Sequence, residues 1–555
     1  MNNIISSILI TLFFATSLQA QQGSSKNKTS KDNTIQTQPK LIVGIVVDQM
    51  RYDYLTRFYS KYGEGGFKRM INEGFNCKNN HFNYVPTYTA PGHASVYTGT
   101  TPKYHGIIGN NWYDKEIKKS VYCAGDDSVQ SVGTAHDAGK MSPSRMKTTT
   151  FADENRLFTQ LRGKTIGIAL KDRGAILPAG HTANAAYWFH GADEGRWITS
   201  TFYMNELPQW VQNFNNSKQA SSYFKVWNTL YDISTYTESA ADENTFEGGY
   251  NGKETATFPY DLMALKEKNS GYDILKATPY GNNLTTDFAL AAIDGESLGK
   301  DEFTDVLAVS YSSTDYVGHN FGVSSKEVQD AYLRLDQDLE RLFNGLDAKV
   351  GKGNYTVFLT ADHAAVEVPS YLASLKIPAG YFSGKAFKDQ LNAFLKTTYN
   401  TEDLIENFSN NQIFLNRAKI SEMGLKLADV QQSIANEIIS YQHIDKVYTG
   451  QSMMKTSFSR GIEELIQNGY NQKRSGDVIY VFDPAVLSYS LTGSSHGTAF
   501  NYDTHVPLLL FGTGIKHGHT YKKTNITDIA PTMSAVLGIG FPSGSSGQPL
   551  EFVLE

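Results

Sequence analysis

Six residues of the types that bind borderline metal ions stand in four short segments. Asp48 ends the apolar run Leu41–Val47. Asp315 and His319 follow the run at 306–309, Asp362 and His363 follow the run at 355–359, and His496 sits in Gly493-Ser-Ser-His-Gly497. Carboxylate oxygen and neutral imidazole nitrogen suit such ions, and zinc is the commonest tetrahedral case. A spacing of four aligns Asp315 and His319 on one turn of helix. Adjacent Asp362 and His363 would point apart in a strand, so they suit a turn. Flanking glycine gives His496 room to reach inward. Six ligands suffice for two ions with three each, and two ions about 4 Å apart can activate a nucleophile and stabilise a leaving oxygen.

A nucleophile candidate lies in Val85-Pro-Thr-Tyr-Thr89-Ala-Pro-Gly-His-Ala-Ser95, which reads as an extended run entering a helix. There the Thr89 hydroxyl would face an anion together with the helix N–H groups. Thr is also a common N-cap, and Pro is common in a first turn. By itself the segment leaves nucleophile and cap both open.

These groups need a frame that gathers distant parts of the chain. The runs at 41–47, 165–170, 306–309, 355–359, 478–482 and 506–511 are apolar almost throughout, like strands covered on both faces. A helical pattern opens at Ser324 with Glu327 as a capping box. It places Val328, Ala331, Tyr332, Leu335, Leu339, Leu342 and Leu346 on one face. Strand and helix in alternation predict an α/β fold with a mainly parallel central sheet flanked by helices. Ligands of such sheets bind beyond the carboxyl ends of the strands, where Asp48, Lys171-Asp172-Arg173, Asp315 and Asp362 all fall. Segments 201–279 and 367–475 fit the strand pattern poorly. They read as inserted capping subdomains around a core of 40–200, 280–366 and 476–555.

Composition narrows the class. Lys and Arg number 50 against 56 Asp and Glu, a net charge of −6 over 555 residues. That is no basic stripe, so nucleic-acid binding as such is not expected. Two cysteines exclude a disulfide scaffold or a four-thiolate metal site; Cys77 and Cys123 either pair or remain buried thiols. Residues 4–18 are apolar but short of the roughly 20 needed to span a membrane. Small residues up to Ala20 and a polar stretch follow. This predicts a signal peptide at 1–20, a flexible leader at 21–39, and an exported chain, periplasmic or secreted, with no stable membrane insertion after cleavage.

Taken together, Val-Val-Asp48-Gln-Met, Pro-Thr-Tyr-Thr89-Ala-Pro-Gly-His, Thr-Asp315-Tyr-Val-Gly-His319, Thr-Ala-Asp362-His363 and Ser-His496-Gly resemble the alkaline phosphatase superfamily. The late stretches Tyr502-Asp-Thr-His-Val-Pro and Asp528-Ile-Ala-Pro-Thr-Met fit it too. The likeness runs from about Leu41 to Pro549 and is greatest to its PafA-type, threonine-nucleophile alkaline phosphatases. It implies an alkaline-phosphatase-like sheet and two zinc ions per chain. One ion would take Asp315, His319 and His496; the other would take Asp48, Asp362, His363 and the oxygen of Thr89. Thr89 would carry a covalent phosphate during hydrolysis of small-molecule phosphate monoesters. Asn110, Lys171 and Arg173 match the group's monoester-recognising side chains, with Asn111 leaving a one-residue ambiguity. A phosphodiesterase or nucleotide pyrophosphatase of the same superfamily is the alternative. It would share the metal ligands but need Lys171 and Arg173 less, because a diester carries one charge fewer. A sulfatase would need Cys or Ser where Thr89 stands.

Overall fold

Leu41–Val47 (β1) is buried at every position, as an apolar run must be when both faces of its strand are covered. It lies inside a ten-stranded sheet in the computed structural model, which describes residues 38–555. The expected signal peptide, and the leader up to residue 37, lie outside the described residues. The remaining strands are β2 (Phe75–His81), β3 (Ser131–Val132), β4 (Thr165–Ala169), β5 (Ala185–His190), β6 (Arg196–Ser200), β7 (Asp305–Tyr311), β8 (Tyr355–Thr360), β9 (Leu508–Gly512) and β10 (Gly518–Asn525). Their order is β10-β2-β9-β8-β1-β7-β4-β5-β6-β3.

The central block β8-β1-β7-β4-β5 is parallel throughout, so its carboxyl ends share one edge. On either side the direction reverses: β9 runs antiparallel to β8, and β6 to β5. The sheet is therefore mixed, with the expected parallel arrangement at its centre. Burial on both faces marks β9 as a sheet strand but carries no information about its direction.

Four helices carry or flank the candidate residues: α1 (Thr89–Thr98), α2 (Asp172–Ala179), α3 (Ser313–Phe321) and α4 (Lys326–Leu346). Helix α4 buries the whole predicted face from Val328 to Leu346. Its cap differs from expectation. Ser325 is the N-cap and accepts from the Val328 N–H, while the Ser324 hydroxyl donates to Glu367. Glu327 turns inward, where the Tyr260 hydroxyl donates to it at 2.5 Å.

One strand expected in the central sheet belongs elsewhere. Val478–Phe482 pairs with Gln412–Leu415 and Ile444–Thr449 in a separate four-stranded antiparallel sheet. That sheet shares a hydrophobic cluster with the helices Gly384–Tyr399 and Leu427–Ile438. An apolar run of strand length does not say which of two sheets it joins. Cys77 and Cys123 are both free thiols, buried in separate hydrophobic clusters. Among the described residues no helix is long and apolar enough to cross a membrane.

Candidate active site

Three neighbouring strands deliver the carboxylates to one edge. Beyond β1, the Asp48 N–H donates to the Tyr311 carbonyl at the end of β7. Chain leaving β7 turns into α3, where Asp315 and His319 sit one turn apart with Nε2 3.2 Å from Oδ1. Chain leaving β8 reaches Asp362 and His363. His496 arrives from a distant loop whose Gly493 has φ 73° and packs on α3; a Cβ there would lie 2.1 Å from the His319 carbonyl oxygen. Only glycine tolerates both that conformation and that approach.

The structure gathers all six ligand candidates. Asp48, Asp362 and His363 offer atoms within 4.8 Å of one another, and so do Asp315, His363 and His496. His363 thus stands between the two groups, its ring stacked on His496 with centroids 3.4 Å apart. In each imidazole Nδ1 faces a backbone carbonyl: His319 that of Ser494 at 2.7 Å, His363 that of Ala364 at 3.1 Å, His496 that of Thr87 at 2.7 Å. A proton held on Nδ1 leaves the Nε2 lone pair of His363 and His496 free, the tautomer a metal ligand needs. At His319 burial works against a second proton, but the Asp315 charge overrides it and raises the imidazole.

The electrostatics ask for a cation. Asp48 Oδ1, Asp362 Oδ2 and His363 Nε2 are buried with no hydrogen-bond partner. Burial, reinforced by the Asp315 charge, pushes the Asp48 carboxyl up to about 6, and burial with Asp48 raises Asp362 well above the usual carboxylate range. For Asp315 burial works in the same sense, but His319 and Lys171 override it and hold the group well below that range. Burial lowers His496 to about 3 and His363 well below the ordinary imidazole value, so both rings are held neutral. Three buried carboxylates face the single ammonium of Lys171. This donor set fits divalent metal ions.

Lys171 is placed differently from a free phosphate ligand. Its Nζ lies 2.6 Å from Asp48 Oδ2 and 2.5 Å from Asp315 Oδ2, bridging the two groups of ligands. Arg173, at the start of α2, donates from Nη1 to the Tyr122 hydroxyl at 3.1 Å and keeps a buried Nε without a partner.

Thr89 is the first residue of α1 and is buried. The N-cap is Tyr88, whose side chain makes no capping bond, so Thr89 does not hold the capping position. Asn110 Oδ1 accepts from the Ala90 N–H at 2.9 Å, beside Thr89. Asn111 is exposed, and its carbonyl serves Asn410. Geometry therefore favours Asn110 of the two.

Two supporting residues escaped the sequence reading. Gln49 has φ 62°; its N–H donates to Asp362 Oδ1 at 3.1 Å and its Nε2 to Asp315 Oδ1 at 2.8 Å. Such a conformation is strained for a residue other than glycine and accompanies functional sites. Asp503 Oδ2 accepts from the Gly497 and Thr498 N–H groups and the Thr498 hydroxyl, fixing the loop next to His496. Both lie inside segments that carried the resemblance, but only the tertiary contacts reveal their work.

Comparison with known proteins gives the family. The family model described as type I phosphodiesterase / nucleotide pyrophosphatase matches residues 42–505. The chain is 47% identical to alkaline phosphatase PafA of Elizabethkingia meningoseptica over 93% of this chain and 94% of that one. It is 45% identical to a Myroides odoratus protein named calcium-transporting ATPase, over 93% and 95% respectively. The crystal structure of wild-type PafA superposes with a TM-score of 0.90 at 46% identity, covering 93% of this chain and 99% of that one. A second PafA structure, of a variant with a threonine, an asparagine, a lysine and an arginine replaced, superposes at 0.89. The chain belongs to the type I phosphodiesterase / nucleotide pyrophosphatase family of the alkaline phosphatase superfamily, alongside the PafA-type alkaline phosphatases.

Proposed function

We propose that this protein is an exported alkaline phosphatase that hydrolyses small-molecule phosphate monoesters through a covalent phosphate on Thr89. One observation carries the reading: the partnerless Asp48 Oδ1, Asp362 Oδ2 and His363 Nε2 lie buried in one cluster, and the Asp362 turn packs on the helix that begins at Thr89. In this reading Asp315, His319 and His496 hold one zinc ion, and Asp48, Asp362, His363 and the Thr89 oxygen hold the other. When bound, such ions favour the deprotonated hydroxyl and stabilise charge on a leaving oxygen.

The chain supplies the rest. Thr89 Oγ1, having released its proton to solvent, forms a bond to phosphorus as the bond from phosphorus to the ester oxygen breaks. That oxygen takes up a proton from solvent and departs as the alcohol. Water then cleaves the phospho-threonine, releasing phosphate and restoring the hydroxyl. Asn110, Lys171 and Arg173 bind the free oxygens of the monoester. Lys171 Nζ sits on Asp48 Oδ2 and Asp315 Oδ2, whereas the oxygens that face the histidines are Asp48 Oδ1 and Asp315 Oδ1. Were these carboxylates to hold metal ions, less of their charge would be left for the ammonium, which would then be available to phosphate. Arg173 Nε has no partner to give up. Thr89 to Asn110, and Lys171 to Arg173, repeat the sequence separations of the four residues replaced in the PafA variant. The ATPase name of the Myroides relative is compatible, since ATP also ends in a phosphoryl group with free oxygens.

The test compares an aryl phosphate monoester with its methyl diester, with and without added zinc. Monoester should be the better substrate, and only with metal present. A preference for the diester would give the site to the phosphodiesterase reading.

A further inference from the structure

Away from the active-site cluster, a second set of metal-ligand side chains converges: His136, His190 and Asp193 place ligand atoms within 4.8 Å of one another. Glu194 joins them. His136 Nε2 lies 3.8 Å from Asp193 Oδ1 and 3.7 Å from Glu194 Oε1. His190 Nε2 and Glu194 Oε2 are both buried atoms with no hydrogen-bond partner. Lys276, the nearby ammonium, is already engaged by Asp273 at 2.7 Å. We infer that His136, His190, Asp193 and Glu194 form a further site for a divalent transition-metal ion, with zinc the best match.

The adjustment needed is a contraction of the cluster. Ligand atoms around a tetrahedral zinc ion with bonds of about 2.0–2.2 Å lie about 3.3–3.6 Å apart. The His136 atom is already 3.7–3.8 Å from the two carboxylates, and the His136, His190 and Asp193 atoms would each have to close in from within 4.8 Å. Both arms are held in place without the ion. His136 donates its N–H to Thr134 Oγ1, and its carbonyl accepts from the Ser131 hydroxyl at 2.6 Å. The turn between β5 and β6 that carries Asp193 and Glu194 is pinned by the Tyr272 N–H donating to the Ala192 carbonyl at 2.7 Å. Two imidazoles with carboxylates form a borderline donor set, which selects zinc and its first-row neighbours over calcium or magnesium.

The position gives the ion a structural task. Strand β3 is the last strand at one edge of the sheet and only two residues long. His136 lies just beyond it, while His190 ends β5. An ion shared by the two would staple the short edge strand to the β5–β6 turn.

Metal content tests this directly. Zinc-loaded wild-type protein, dialysed against zinc-free buffer, should retain about one more zinc ion per chain than the His136→Ala/His190→Ala double variant. Ions at the active-site cluster are common to both proteins and cancel. His136→Gln changes only an exposed side chain, and should weaken uptake of that ion by about 10-fold or more. Turnover should be unchanged in that variant, so the result stands apart from the phosphatase reading. Equal zinc content and equal affinity in wild type and variants would overturn the proposal.

Discussion

Gly92 lies directly against the backbone of Asp362: a methyl group on its Cα would sit 2.2 Å from the Asp362 carbonyl oxygen and 2.7 Å from the Asp362 Cβ. The helix that starts at Thr89 can meet the Asp362–His363 turn so closely only because residue 92 has no side chain. The next residue, His93, fastens the same turn of helix, with Nδ1 2.8 Å from the Thr89 carbonyl and Nε2 2.9 Å from Ser310 Oγ on β7.

Gly92→Ala should therefore push Thr89, the proposed nucleophile, away from the carboxylates. A displacement of about 1 Å can cost on the order of 100-fold in rate, and the overpacking should cost about 1–3 kcal/mol of stability. Steady-state kinetics and chemical denaturation measure the two. Wild-type turnover in this variant would show that the close approach is not needed.

Thr89→Ala should lose nearly all activity while folding normally, and Thr89→Ser should keep a substantial part, because it preserves the hydroxyl. Acid-quenched enzyme analysed by mass spectrometry should carry phosphate on residue 89. Phosphate on Thr87 instead would refute the assignment.

Lys171 and Arg173 bear on selectivity. Each charge-assisted contact to a dianionic monoester is worth roughly 1.5–3 kcal/mol, or one to two orders of magnitude in rate. Replacing both by Ala should cut monoester turnover sharply and diester turnover much less. Because Lys171 also bridges Asp48 and Asp315, zinc content should be measured in parallel. Equal losses on both esters would mean that these side chains serve the ligand frame, not the substrate's extra charge.

Asp503 holds the His496 loop through three hydrogen bonds to one carboxylate oxygen. Asp503→Ala should weaken zinc binding and activity by about 10–100-fold, as loss of supporting partners does at other metal sites. Asp503→Asn keeps an acceptor and should lose less. Unaltered zinc affinity in the Ala variant would show that the loop holds itself.

The pH dependence of stability has a specific contributor in His105. Its Nδ1 accepts from the Ile107 N–H at 3.1 Å, so the proton sits on Nε2 beside Ser95 Oγ at 2.9 Å. Burial lowers this imidazole from 6.5 to about 3. Below pH 6.5 the unfolded chain takes up a proton that the folded one refuses until about pH 3. The contribution of His105 is thus full above pH 6.5 and falls away as pH drops towards 3, by on the order of a few kcal/mol. Unfolding free energies measured across that window should decline less steeply in His105→Asn than in wild type.

What the sequence determined by itself was chemistry tied to short spacing. Asp315 and His319 share a helical turn because four residues make one turn. Asp48, Asp362 and the parallel centre of the sheet follow from buried apolar runs that end in acids. These are local rules, and local rules survive whatever the rest of the chain does. The outcome at Val478–Phe482 shows their limit, since apolar patterning identifies a strand but not its sheet, and the same holds for the direction of β9. Only the tertiary structure decided that His363 stands between both groups of candidate ligands, that Lys171 bridges two carboxylates, and that Asn110 rather than Asn111 faces the helix that begins at Thr89. It alone brought Gln49 and Asp503 behind the candidate ligands and set His136 near His190. Those relationships depend on distances between residues tens to hundreds of positions apart, which are set by packing and by burial of charge, and no window of sequence contains them.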